Sequence, residues 1–212
     1  MKKYKGIIFD LDGVICSTDK YHYLAWKKLA DRMDIYFDEK INSRLRGVSR
    51  MDSLKIILEH SDKVFTSEEK EKLADAKNEI YVKYLEEMTS EDLTEEVRNT
   101  LSKLRKRGYL LAIGSSSKNA KKILQRLGLE NFFDAVSDGT NISKSKPDPE
   151  VFLKAAEYLK LQPDECLVVE DARAGIDAAG AGGFDSAGLG EAALYERTVY
   201  PLNEFSMLER IL

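Results

Sequence analysis

Acidic side chains follow two short apolar runs of the sequence. Asp10-Leu-Asp12-Gly13 comes directly after Gly6-Ile-Ile-Phe9, and Glu170-Asp171 comes after Leu167-Val-Val169. Carboxylates gathered in one place can attack as a nucleophile, transfer protons or hold a hard divalent cation. Taken alone, the first motif also fits a solvated turn, and the second fits a helix N-cap with an acidic first turn. Their position relative to other motifs therefore decides between these interpretations.

Two further motifs carry groups that bind anions. Ser115-Ser-Ser-Lys-Asn119 lies between an apolar run and a helical pattern, where hydroxyls and helix N–H groups can bind phosphate. Lys146 lies between Lys144 and Pro149 in a loop that two prolines stiffen, and a held ammonium can neutralise a phosphate. The alternatives are a simple N-cap and a solvated surface lysine. Because all four motifs follow predicted strands in chain order, we interpret them as one site.

Apolar runs that alternate with helical patterns must position these motifs. The runs predict strands at 6–9, 110–113, 135–136, 167–169 and 184–187, and the patterns between them predict helices at 95–106, 119–127, 149–159 and 174–181. This alternation indicates parallel βαβ units, and hence the α/β fold class with a doubly wound parallel sheet. The carboxyl ends of such strands lie at one edge of the sheet, so the four motifs should meet there.

The stretch from Thr18 to about Ser90 breaks the alternation, because it contains only helical patterns. These patterns cover residues 21–33, 39–45, 51–58 and 67–88. We therefore predict a small helical cap domain at 17–90, inserted after the first strand, and an α/β core domain formed by 1–16 and 91–212. An insertion that leaves the carboxyl end of a strand would overhang the site as a lid.

Composition limits the classes of partner. The chain has 212 residues, 43% of them hydrophobic, which is enough for one globular domain with a small insertion. Lys+Arg (33) nearly balance Asp+Glu (37), and a net charge of -4 makes nucleic acid and membranes poor candidates as partners. Cys16 and Cys166 are too few for a disulfide framework, and the first apolar run is too short for a signal peptide or membrane span. We expect a cytoplasmic monomer.

Together the four motifs resemble the haloacid dehalogenase superfamily, in the order Asp-x-Asp-Gly, Ser, Lys and an acidic pair. The resemblance implies a Rossmann-like core in which Asp10 attacks phosphorus and becomes an aspartyl phosphate, while Asp12 acts as general acid and base. It also implies that magnesium is held by Asp10, by the backbone carbonyl of Asp12, and by Glu170 or Asp171. The residues expected to bind phosphate are Ser115, Ser116, Ser117, Lys118, Asn119 and Lys146.

Segments of the predicted cap resemble the β-phosphoglucomutase family within this superfamily, although Cys16-Ser17 stands where that family usually has Thr-Asp. The resemblance implies interconversion of β-D-glucose 1-phosphate and glucose 6-phosphate, with glucose 1,6-bisphosphate as the activating intermediate. The planar guanidinium of Arg50 matches the phosphate-binding arginine of that family. The residues that the resemblance assigns to the sugar phosphate are His22, Trp26, Arg46, Gly47, Val48, Ser49, Arg50 and Lys77.

Two other functions remain open from the sequence. A magnesium-dependent sugar-phosphate phosphatase of the same superfamily would share the core and would use water as the phosphoryl acceptor. A binding protein without catalysis would use the same cleft to sense a phosphorylated metabolite. The intact acids Asp10 and Asp12 argue against the binding protein, and an assay of magnesium-dependent turnover would decide.

Overall fold

The computed structural model describes residues 3–45 and 49–212. These described residues fall into two compact units, one within the ranges Met1–Ser17 and Thr89–Leu212 and the other within Thr18–Met88. Within the described ranges, none of the helices combines the length and the apolar character needed to cross a lipid bilayer.

A parallel sheet of six strands forms the centre of the first unit, as far as the chain is described. The strands are β1 Gly6–Phe9, β2 Leu110–Gly114, β3 Ala135–Ser137, β4 Cys166–Glu170, β5 Asp185–Gly188 and β6 Tyr200–Pro201. Their order is β3-β2-β1-β4-β5-β6, and every adjacent pair is parallel. This order is that of a doubly wound sheet, so the fold class predicted from the sequence is confirmed.

Strand β1 lies between β2 and β4, and the register aligns the carboxyl ends of all three. Phe9 pairs with Ile113 of β2 and with Val169 of β4. Strand β1 ends at Phe9, and β2 and β4 end one residue beyond these partners, at Gly114 and Glu170, so the segments that follow the three strands begin at the same edge of the sheet. This register positions the predicted site.

The helices of the second unit are α1 Asp19–Arg32, α2 Glu39–Ser43, α3 Arg50–Leu58 and α4 Ser67–Tyr84. Helix α4 begins with a capping box, in which Thr66 and Glu69 bond each other's backbone N–H groups. Trp26, Leu54 and Ile57 belong to the buried cluster that joins α1 and α3. This unit therefore has a hydrophobic core of its own.

The predicted helix at 67–88 is too long. Helix α4 ends at Tyr84, and a 3₁₀ turn follows over Leu85–Glu87. Leu85 and Met88 are both fully buried, and the sequence pattern continued through them because three residues make one turn of a 3₁₀ helix. Apolar spacing alone does not distinguish this turn from the end of an α-helix.

The remaining helices flank the sheet. They are α5 Glu95–Lys106, α6 Ala120–Arg126, α7 Glu150–Leu159, α8 Arg173–Ala181 and α9 Leu208–Ile211, with 3₁₀ turns at Ser90–Asp92, Pro163–Glu165, Ala192–Leu194 and Phe205–Met207. Phe152 of α7 packs in one buried cluster with Ile8 and Val168 of the sheet. Strand β6 and helix α9 were not predicted, because two and four residues are too few to show a period.

Candidate active site

Asp10 is the first residue after β1, and the sheet itself fixes its backbone. Its N–H donates to the carbonyl of Val169 in β4 at 2.9 Å, which continues the ladder by one residue. Only 8% of Asp10 is exposed. A carboxylate held this way has a fixed position at the carboxyl edge of the sheet, as expected of a preorganised reacting group.

Lys146 reaches the same place from the loop between β3 and α7. Its ammonium donates to Oδ1 of Asp10 and to Oε1 of Glu170, and it lies 4.7 Å from the ring centre of Phe152. Burial opposes the charge of this group, but the carboxylates of Asp10 and Glu170 outweigh burial and raise the pKa of Lys146. Lys146 is therefore a buried cation at the site, and the alternative of a solvated surface lysine is wrong.

We call Asp10, Glu170 and Asp171 the acidic cluster. One carboxylate oxygen from each lies within 4.8 Å of the others. Burial first, and then the negative charge of Asp10, raises the pKa of Asp171 to about 8. Burial also raises the pKa of Glu170, to about 7, although the charge of Lys146 acts in the opposite direction. Three hard oxygen donors that repel each other are a chemically suitable set for a divalent cation.

Two glycines make room for the carboxylates of this cluster. Gly13 has a φ of +89°, and a Cβ there would lie 2.1 Å from Oδ2 of Asp171. A Cβ on Gly175 would lie 1.9 Å from the Cδ atom of Glu170. Both positions therefore require glycine, the first for its backbone conformation and both for the close approach of an acid.

Asp12 lies in a tight turn beside the cluster. It forms an isolated bridge with Cys16, and the N–H of Gly13 donates to the carbonyl of Cys16 at 2.7 Å. Its negative charge contributes to the raised pKa of Asp171, after burial and the charges of Asp10 and Glu170. Within the described residues, the carboxylate of Asp12 is not one of those that lie within 4.8 Å of one another in the acidic cluster. The resemblance implies that its backbone carbonyl, and not its carboxylate, is the metal ligand.

The backbone of Glu170 and Asp171 is held by a segment for which sequence reasoning gave no role. The N–H of Leu189 donates to the carbonyl of Glu170 at 2.8 Å, and that of Ala192 donates to the carbonyl of Asp171 at 3.0 Å. The glycine-rich stretch 180–190 therefore leads into a turn that fixes the acidic pair. Hydrogen bonds between backbone groups do not depend on the type of side chain, so the sequence could not predict them.

The serine motif follows β2, next to the strand that carries Asp10. Ser115 is buried, its N–H donates to the carbonyl of Ser137 at 3.0 Å, and its hydroxyl oxygen accepts from the N–H of Ser117 at 3.2 Å. Because that bond uses only a lone pair of the oxygen, the hydroxyl hydrogen can donate to an anion. The hydroxyl of Ser116 is buried with no hydrogen-bond partner among the described residues. Lys118 is exposed.

The rest of this motif leads into a short helix. Asn119 precedes α6, and its N–H donates to the hydroxyl of Ser117 at 3.2 Å. Asn119 occupies the N-cap position of α6 without a capping bond from its side chain. The motif thus combines serine hydroxyls with backbone N–H groups at the start of a helix, which is a chemically suitable arrangement for phosphate.

In the helical unit, the side chains of His22, Arg50 and Lys77 form what we call the basic cluster. The ammonium of Lys77 lies 2.7 Å from Nδ1 of His22. Because an ammonium has only donors, Nδ1 is the acceptor and His22 is neutral. Burial first, and then the charges of Lys77 and Arg50, lower the pKa of His22 well below its usual value.

Aromatic rings enclose this basic cluster. The ring of His22 stacks on Tyr81 at 4.1 Å, and the ammonium of Lys77 lies 4.6 Å from the Tyr81 ring centre and 4.8 Å from that of Trp26. Only 2% of Lys77, which the resemblance assigns to the sugar phosphate, is exposed. Trp26 is core, since only 3% of it is exposed.

Arg50 is the first residue of α3, and Ser49 caps that helix. The hydroxyl of Ser49 accepts from the N–H of Asp52 at 3.2 Å, whereas Nη2 of Arg50 donates to Oδ1 of Asn78 at 3.0 Å. Burial lowers the pKa of Arg50, while the nearby groups Asp75 and Tyr81 act in the opposite direction. The predicted residues Arg46, Gly47 and Val48 lie outside the described residues.

Comparison with known proteins adds the following matches. Residues 4–183 match the family model described as haloacid dehalogenase-like hydrolase. A β-phosphoglucomutase from Bacillus subtilis is 42% identical over 189 residues, which cover 88% of this chain and 84% of the relative. A fructose-1-phosphate phosphatase from Escherichia coli is 31% identical over 186 residues, which cover 87% of this chain and 96% of the relative.

Among solved structures, a β-phosphoglucomutase from Clostridium difficile is similar with a TM-score of 0.89 and 38% sequence identity. The match covers 98% of this chain and 95% of that protein. Proteins similar to this chain thus include phosphomutases and phosphatases.

Proposed function

Because this chain belongs to the haloacid dehalogenase-like hydrolase family, we propose that it is an enzyme that transfers phosphoryl groups through Asp10. The observation that carries this proposal is the convergence of Asp10, Lys146 and the acidic pair at one edge of the sheet. Phosphoryl transfer depends mainly on positioning and charge neutralisation, and these groups supply both. The 42% identity to a β-phosphoglucomutase directs the proposal to that reaction.

The residues of the α/β unit then take the following roles. A carboxylate oxygen of Asp10 forms a bond to phosphorus, and the bond from phosphorus to the leaving oxygen breaks. Asp12 gives a proton to that leaving oxygen and takes one from the incoming hydroxyl. Lys146 and the hydroxyl of Ser115 neutralise and orient the phosphoryl group during transfer.

The acidic cluster fits a magnesium ion. Magnesium prefers oxygen ligands and binds through a few carboxylates together with substrate phosphates, and this cluster offers three carboxylates. We propose that Asp10, the backbone carbonyl of Asp12, Glu170 and Asp171 hold it. When bound, the ion would offset the charge of the carboxylates and of the phosphate.

A mutase also needs a second site for phosphate. The aspartyl phosphate donates to one end of the sugar phosphate, and the resulting glucose 1,6-bisphosphate must present its other phosphate to Asp10. Each orientation leaves one phosphate that does not react. We propose that Arg50 binds this distal phosphate, since a guanidinium can hold it through two parallel hydrogen bonds. The other cap residues of the sequence prediction, His22 and Lys77 among them, would contact the sugar phosphate.

The two thiols support a proposal about the location of the protein. Cys16 and Cys166 are both free and buried. Free thiols are usual in a reducing compartment. They support the proposal of a cytoplasmic enzyme acting on small sugar phosphates.

The direct test supplies β-D-glucose 1-phosphate, magnesium and a trace of glucose 1,6-bisphosphate to the purified protein. Phosphorus NMR then follows glucose 6-phosphate and inorganic phosphate over time. We expect glucose 6-phosphate as the main product, with a lag when the bisphosphate is omitted. Inorganic phosphate as the only product would refute the mutase.

A sugar-phosphate phosphatase is the second candidate, and the 31% identity to a fructose-1-phosphate phosphatase favours it. In that enzyme water would take the place of the sugar hydroxyl as acceptor, and Asp12 would activate the water. The roles of Asp10, Lys146 and the acidic pair would be unchanged. Steady release of inorganic phosphate from several sugar phosphates, without a lag, would support it.

A further inference from the structure

The loop that carries Lys146 is tied to the first residue of helix α7. Oε2 of Glu150 accepts three hydrogen bonds, from the N–H of Ser143 at 2.9 Å, from the hydroxyl of Ser143 at 2.8 Å and from the N–H of Lys144 at 2.8 Å. These donors lie two and three residues before Lys146. A single carboxylate oxygen thus connects the start of the loop to the helix at its end.

The other oxygen of Glu150 is paired as well. Oε1 lies 3.0 Å from the ammonium of Lys154, one turn further along α7, and that ammonium also donates to the carbonyl of Asn141. The bonds from Lys154 first, and then those from Ser143 and Lys144, lower the pKa of Glu150 to about 2. Glu150 is therefore ionised at neutral pH and accepts bonds through both oxygens.

Between these anchor points the loop also bonds to itself. The N–H of Asp148 donates to the carbonyl of Ser145 at 3.1 Å, and Oδ1 of Asp148 accepts from the N–H of Glu150 at 3.0 Å. Both ends of the short segment around Lys146 are therefore fixed to the beginning of α7. From the backbone held in this place, the ammonium of Lys146 donates to Asp10 and Glu170.

We propose that Glu150 is a positioning residue, which sets the place of the Lys146 ammonium by anchoring the loop 143–149 to helix α7. This inference rests on the proposed role of Lys146 in phosphoryl transfer. Glu150 itself need not touch the substrate. Because a displacement of about 1 Å can cost roughly 100-fold in rate, a loosened loop should impair catalysis strongly.

Two variants distinguish the effect of side-chain length from the effect of charge. Glu150→Gln keeps the side-chain length and one acceptor oxygen but loses the negative charge. Glu150→Asp keeps the charge and shortens the side chain by one methylene. If Glu150 positions the loop, the Asp variant loses about 10-fold or more in kcat for hydrolysis of acetyl phosphate. The Gln variant stays within about threefold of the wild type, as does the control Glu157→Gln, an exposed acid on the same helix.

A double-mutant cycle tests whether the effect passes through Lys146. Glu150→Asp is combined with Lys146→Ala, and the affinity for orthovanadate in the presence of magnesium is measured by calorimetry. Residues that act through each other are not additive. We expect Glu150→Asp to weaken vanadate binding about 10-fold in the wild type and less than about twofold when Lys146 is Ala.

Three outcomes would overturn this role. The first is a greater loss of kcat in Glu150→Gln than in Glu150→Asp, which would mean that the charge at the helix N-terminus matters and the side-chain length does not. The second is equal weakening by Glu150→Asp in both backgrounds, which would mean a general structural effect. The third is full activity of both Glu150 variants while Lys146→Ala is impaired.

The same measurements distinguish this inference from the proposed function. Acetyl phosphate and vanadate contain no sugar, so a protein that proves to be a phosphatase gives the same pattern. If Lys146→Ala itself changes neither rate nor vanadate affinity, the proposed function of Lys146 fails, and the role of Glu150 fails with it. All variants are first compared with the wild type by thermal unfolding.

Discussion

The acidic cluster of the α/β unit and the basic cluster of the helical unit bury charges of opposite sign. In the acidic cluster, burial and repulsion between carboxylates raise the pKa of Asp171 to about 8. In the basic cluster, burial and repulsion from Lys77 and Arg50 lower the pKa of His22. These charges are consistent with the ligands that we propose, a metal cation for the acidic cluster and a phosphate for the basic cluster.

The difference suggests how an enzyme of this family divides its work. The acidic cluster, with Lys146 between two of its carboxylates, contains the nucleophile and the metal ligands that we propose. The basic cluster lacks a comparable nucleophile and offers cations enclosed by aromatic rings. We infer that the acidic cluster performs the chemistry and that the basic cluster selects the substrate.

The largest effect should come from the nucleophile. Asp10→Asn is nearly isosteric, but an amide is a poor nucleophile, so turnover should fall by roughly 10⁴- to 10⁶-fold. Thermal unfolding should show a folded protein, and the exposed Asp164→Asn serves as the matched control. Substantial turnover of Asp10→Asn, in a preparation free of wild-type enzyme, would move the chemistry to another group.

The next effect concerns the proposed metal ligands Glu170 and Asp171. The double variant Glu170→Gln/Asp171→Asn removes two of the three carboxylates of the acidic cluster. Replacing a residue that only supports a metal ligand typically lowers metal affinity roughly 10- to 100-fold, and we expect a larger loss of magnesium affinity here. Calorimetry measures this, with Glu165→Gln, just before β4, as the control. Unchanged magnesium affinity in the double variant would place the ion elsewhere.

The magnesium affinity of the wild type should also depend on pH. It should rise as the pH increases from about 7 to about 8, because Glu170 and Asp171 must lose their protons to bind the ion.

A smaller effect, on the pH dependence of the free energy of unfolding, tests the basic cluster. The pKa of His22 is lower in the folded state than in the unfolded state, so the unfolded state becomes protonated at a higher pH than the folded state. The stabilisation from neutral His22 is therefore present above about pH 6.5 and is lost below it, with a slope of at most about 1.4 kcal/mol per pH unit.

The measurement compares the wild type with His22→Gln by chemical unfolding. Between about pH 7.5 and about pH 5.5, the difference in their free energies of unfolding should shrink by roughly 1 kcal/mol or more. The exposed His60→Gln variant controls for the removal of a histidine. A difference independent of pH would mean that His22 is not buried among cations in solution.

Much of the fold could be predicted from the sequence. Buried parallel strands are nearly continuous apolar runs, so β1, β2 and β4 were located to within about a residue. The resemblance to the haloacid dehalogenase superfamily and to β-phosphoglucomutase, which rested on four motifs and the cap segments, is confirmed by the matches. The two-residue strand β6 and the 3₁₀ turn after α4 were missed, because neither shows a period of its own.

The candidate site was predictable wherever a functional side chain follows a strand. Asp10 and the acidic pair meet because the register aligns β1 with β4; Asp10 and Asp171 follow these strands, and Glu170 ends β4. The roles of Leu189, Ala192 and Glu150 were not predictable, because they depend on hydrogen bonds between segments distant in sequence or on loop geometry. The residue roles themselves stay predictions until variants are measured.

The most direct test of this division of labour uses Arg50→Ala and two phosphoryl donors. Acetyl phosphate has a single phosphoryl group and no distal phosphate, whereas the mutase reaction of β-D-glucose 1-phosphate passes through a bisphosphate. We expect Arg50→Ala to slow the mutase reaction by roughly 100-fold or more and to leave the hydrolysis of acetyl phosphate within about threefold of the wild type. Equal damage to both reactions, or damage to neither, would contradict the account.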